Sequence, residues 1–78
     1  MMNKFQDLMG EGFPVQIIVD IEDTLHNVVK GVITHVGRNY IEVTRPTNQD
    51  EKSRYGTDEV KVVIPVDKIA EIMYYEKK

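Results

Sequence analysis

The run Arg38-Asn39-Tyr40 is the part of this sequence best equipped to hold a ligand. A base can stack on a Tyr ring or an Arg plane and hydrogen-bond to an Asn amide, which is a common way of reading single-stranded nucleic acid. The same three residues also have a purely structural use. In that use Asn39 makes a turn, Tyr40 packs and Arg38 is solvated. Lys68 offers either a phosphate contact or an ordinary surface pair. A second basic and aromatic stretch, Arg45, Lys52, Arg54 and Tyr55, is interrupted by Asp50 and Glu51 and reads as a solvated loop.

Catalysis has little to work with. The only serine, Ser53, lies in a polar stretch with no histidine near it in sequence, and no cysteine is present. Thiol catalysis, disulfides and thiolate zinc sites are therefore excluded. His26 and His35 are nine residues apart, an odd spacing that sends them to opposite faces of one strand unless a bend intervenes, and they read as ordinary barrel histidines. Asp20, Glu22 and Asp23 carry oxygen ligands for a hard cation, but no loop of spaced ligands accompanies them. Gly10-Glu11-Gly12 lacks the Lys and Ser/Thr of a phosphate loop and reads as a helix stop. The expectation is a protein that is not an enzyme, with no cofactor and no metal.

The chain has 78 residues, of which 41% are hydrophobic, so it reads as one small folded domain over 1–78. Its formal net charge is −3, unevenly placed. Residues 1–25 hold one lysine against five carboxylates, whereas residues 26–68 hold seven cations against six carboxylates. Proteins that track phosphates nonspecifically usually carry a strong positive excess. A nucleic-acid site here must be local, or made by bringing several copies together. No apolar run approaches the roughly 20 residues that span a bilayer, and no apolar segment follows the first residues as in a secretion signal. A cytoplasmic protein with no membrane partner is expected. Domains this small also tend to gain stability by oligomerising.

Stepping through the chain, Phe5, Leu8 and Met9 fall on one helical stripe, with Asn3 as N-cap and Gly10 as stop, giving a helix within 1–11. Such a helix must lie against something, most simply the mouth or edge of a sheet. Residues 15–21 alternate, with Val15, Ile17, Val19 and Ile21 on one face. Glu22-Asp23-Thr24 suits a hairpin. A long strand over 25–36 follows, apolar on both parities, with Gly31 at its centre. That mixture predicts a sharp bend or bulge at Gly31 where the inward parity changes. Gly37-Arg38-Asn39 is a tight turn, and 40–45 is the next strand. Residues 46–58 contain no aliphatic side chain and read as a variable polar loop or flexible hairpin tip. Strand 60–64, a one-turn connector at 65–68 and strand 69–75 complete the chain. The expected fold is mainly β: a short N-terminal α-helix followed by a strongly bent five-stranded antiparallel open barrel.

This order resembles the Sm-like family (Sm, Lsm and Hfq proteins) over nearly the whole chain. The matching stretches are residues 30–43, around Gly31, Gly37 and Tyr40, and residues 62–72, around the connector. The variable loop between the family's two motifs corresponds to 46–58. The resemblance implies a head-to-tail homo-oligomeric ring that binds single-stranded RNA or DNA, with a role in RNA or DNA processing. It also implies that the turn and the connector lie side by side at the pore, so Gly37, Arg38, Asn39, Tyr40 and Lys68 form the expected site. The family usually places Asp where this chain has Gly37, Asn where it has Ile41, and Arg-Gly where it has Pro65-Val66. Those family residues hold the base. A structural or protein-interaction module of the same fold, assembling through strand edges, is the alternative.

Overall fold

The computed structural model describes residues 3–22 and 27–76. Helix α1 (Lys4–Glu11) is followed by strands β1 (Pro14–Val19), β2 (Val28–Val36) and β3 (Tyr40–Pro46). Then come helix α2 (Gln49–Tyr55), β4 (Glu59–Pro65), a single 3-10 turn (Val66–Lys68) and β5 (Ile69–Tyr74). The five strands form one antiparallel sheet in the order β4-β3-β2-β1-β5. The sheet is bent but open, with β4 and β5 as its two edges.

Helix α1 begins as its sequence predicts. The Asn3 side chain accepts a 2.8 Å hydrogen bond from the Phe5 N–H, satisfying one of the donors that a helix start leaves unpaired. The stop is not Gly10. The helix runs on to Gly12, whose left-handed φ of 70° turns its N–H back onto the Leu8 carbonyl. Within this helix Leu8 enters the core while Phe5 and Met9 pack at its margin. Leu8 joins Val15 and Ile17 of β1, Ile33 of β2, Ile41 and Val43 of β3 and Ile64 of β4 in one buried cluster. Strand β1 ends at Val19, short of the expected 15–21, and Ile21 beyond it is 42% exposed.

Strand β2 shows why its sequence is apolar on both parities. Val29 and Ile33 face the core, and so does Val36, three residues beyond Ile33. The switch comes from a register shift against β3 between Ile33 and His35. The change of inward parity therefore lies after Ile33 and not at Gly31. Gly31 answers a different need: a Cβ there would collide with the Thr44 carbonyl oxygen and the Val43 side chain of β3. Glycine is needed for the close approach of two backbones. The strand starts at Val28; residue 25 and the hairpin positions Asp23 and Thr24 lie outside the described residues.

The largest departure is at 46–58, where a helix stands in place of an irregular loop. Asn48 accepts from the Glu51 N–H at 2.8 Å, and Glu51 accepts from the Asn48 N–H at 3.0 Å. This reciprocal capping box nucleates α2, and Gly56 ends it with a left-handed φ of 67°. No side chain of α2 is buried. The helix is local chemistry: no apolar face was available to signal it.

Candidate nucleic-acid interface

The turn at 37–39 joins β2 to β3, and the connector at 65–68 joins β4 to β5. Antiparallel pairing of β3 with β4 sets Tyr40 opposite Pro65, so segments far apart in sequence become neighbours. Main-chain bonds fix the arrangement. The Gly37 N–H donates to the Tyr40 carbonyl at 2.8 Å, closing the turn. The Val66 N–H donates to the Asn39 carbonyl at 2.9 Å, tying connector to turn. On its other side the connector is held by the Asp20 N–H, which donates to the Lys68 carbonyl at 2.7 Å.

Between turn and connector lies an open groove of about 820 Å³. Arg38, Asn39 and Tyr40 line it from one side, residues 65–68 from the other, and Val63 of β4 contributes to the floor. Four of the five expected site residues, Arg38, Asn39, Tyr40 and Lys68, thus meet in one depression. Gly37 has a different place, beneath the Tyr40 ring: a Cβ at Gly37 would collide with that ring. Sequence reading missed Asp67, which puts one carboxylate among the two cations of the groove, and it missed the apolar wall from Val63, Pro65 and Val66. Arg38, Asn39 and Lys68 are exposed and Tyr40 is half-buried. The arrangement combines an aromatic ring, an amide and two cations, as base and phosphate contacts require.

The second basic stretch is arranged differently. Arg45 binds Glu51 through both guanidinium nitrogens at 2.8 and 2.9 Å. The Arg45 hydrogen bond is the main reason the Glu51 carboxyl is held down to about 2, and the Asn48 N–H adds to it. Lys52 lies 3.3 Å from Asp58, and Arg54 lies 3.4 Å from Asp50 one helical turn away. Asp50 and Glu51 therefore neutralise this stretch by pairing and do not merely interrupt it.

The other candidates remain dispersed. Among the described residues no group of three or more His, Asp or Glu side chains could hold a metal ion. Asp20 and Glu22 are exposed, while Asp23 lies outside the described residues. His26 lies outside them too, and His35 contacts Tyr40. Ser53 is an exposed residue of α2. Among the described residues no helix is long and apolar enough to cross a membrane. Comparison with protein-family models, with curated proteins and with solved structures finds no match to this chain.

Proposed function

We propose that this chain is a divergent Sm-like protein, a non-catalytic, ring-forming binder of single-stranded nucleic acid, RNA before DNA, acting in RNA or DNA processing in the cytoplasm. The observation that carries the reading is the convergence of Arg38, Asn39, Tyr40 and Lys68 on one groove from two segments separated in sequence. Helix, strand order and one-turn connector agree with the resemblance drawn from the sequence. A single groove of this kind is weak. A ring repeats it once per copy, so affinity comes from simultaneous engagement, and the cations of all copies concentrate at one place despite the acidic total. Head-to-tail pairing of the two open edges, β4 on one copy and β5 on the next, supplies the ring.

Titration of short homopolymer RNAs and DNAs over a range of salt tests the reading. A complex that weakens linearly in log salt supports it. Light scattering at micromolar protein tests the ring, and a clean monomer refutes it.

The second reading is a structural or interaction module that assembles through its edges and reads no base. Gly37, Ile41 and Pro65-Val66 favour it, since they stand where base-holding residues are expected; Ile41 is fully buried and unable to reach a ligand. Val63, 58% exposed on edge strand β4, favours it too. A multimer that binds none of the homopolymers is its signature.

A further inference from the structure

An aromatic ring is a useful stacking platform only when its orientation is fixed before the ligand arrives. Tyr40 is fixed from two sides. Its ring lies across Gly37, and its hydroxyl sits 3.1 Å from His35 Nε2, with the two rings 5.7 Å apart and tilted by 41°. The β2 bulge creates this contact. Had the pairing that sets Ile33 opposite Val43 continued without a shift, His35 would oppose Ile41, which faces the core. With the shift, Val36 opposes Ile41 and His35 opposes Glu42. His35 is thereby put on the outer face, diagonal to Tyr40, two residues from Glu42 on the same strand.

We propose that His35 is a positioning residue for Tyr40, acting on bound bases through the tyrosine ring and not by touching nucleic acid. The proposal rests on the nucleic-acid reading of the groove. Whichever partner donates, the contact holds the phenol oxygen against the imidazole and so limits rotation of the tyrosine ring. The charged groups on the flanking elements are Glu42 on β3, Arg38 in the turn, and Lys4, Asp7 and Glu11 on α1, which packs on the same strand. Strand β1 contributes none there, because its pairing with β2 stops at Val32.

Two measurements on the full chain test this. Anisotropy titrations use a labelled oligouridylate and an abasic strand of the same length. His35→Ala is expected to weaken the base-bearing strand about threefold to tenfold and to leave the abasic strand unchanged, since only stacking is lost. His35→Gln, whose amide can meet the tyrosine hydroxyl, restores binding, and His35→Ala added to Tyr40→Leu costs nothing more. Equal loss on both strands, or the full loss in the Tyr40→Leu background, overturns the proposal. In the free protein, the Tyr40 Cζ carbon signal is expected to move in His35→Ala, where the hydroxyl loses its partner, and to return toward its original position in His35→Gln. A Tyr40 signal unchanged in His35→Ala overturns the proposal whether or not RNA binds. A Tyr40 signal that responds to His35→Ala in a protein that binds no oligonucleotide instead ends the nucleic-acid reading and leaves the His35–Tyr40 coupling supported.

Discussion

Two regions of this molecule are rich in cations, and they use them in opposite ways. Around α2, Arg45, Lys52 and Arg54 each face a carboxylate, so the segment holds itself in shape and projects little net charge. Around the groove, Arg38 and Lys68 enter no ion pair among the described residues, and main-chain bonds carry the structural load. A basic cluster in a sequence is therefore not by itself a binding surface. What matters is whether the local backbone is held by the cations or without them.

The sharpest way to break that contrast is charge reversal in each region. On the proposed function, Arg38→Glu is expected to weaken oligonucleotide binding by about tenfold or more and to flatten its salt dependence, because each copy would lose a phosphate contact. Arg54→Glu should leave binding nearly unchanged. Equal effects from the two variants would end the distinction. On stability the largest effect belongs to Gly31→Val, whose side chain meets backbone that cannot move aside. Denaturant unfolding should show a loss of about 3 kcal/mol. A Gly37→Ala variant should fold but displace the Tyr40 ring, and its loss of affinity should exceed its loss of stability.

Acid offers a gentler probe of the α2 side. The Glu51 carboxyl is depressed from 4.5 to about 2 by its bonds to Arg45 and the Asn48 N–H. A depressed carboxyl stabilises the fold above its unfolded value and loses that contribution as pH falls through the folded one. Protection of the Lys52 and Gly56 amides, taken relative to their intrinsic exchange rates, should therefore fall between about pH 4.5 and 2, ahead of the sheet. The smallest effect belongs to Arg54→Ala, which removes an exposed pair one turn apart and should change stability by less than about 0.5 kcal/mol.

The sheet was legible because burial writes itself into alternation: Val15 and Ile17, Ile41 and Val43 all lie where their spacing puts them. Asn3 was legible as a cap because a short polar side chain before an amphipathic run has few other uses. Helix α2 was not, since pattern reading looks for an apolar face and Asn48–Glu51 builds a helix without one. The convergence of turn and connector came from the resemblance, because no local rule relates Asn39 to Val66. The His35–Tyr40 contact depends on a bulge, and alternating residues cannot reveal where a strand gains one residue.

The three-residue connector has one more consequence. It joins the two unpaired edges of the sheet directly, and it is bonded to Asn39 on one side and to Asp20 on the other. In the proposed edge-to-edge assembly, the angle at which β4 and β5 leave this connector would set the rotation from each copy to the next. Subunit number would then depend on the geometry of residues 65–68. A change at Pro65 or Val66 could alter the count while leaving every edge residue as it was.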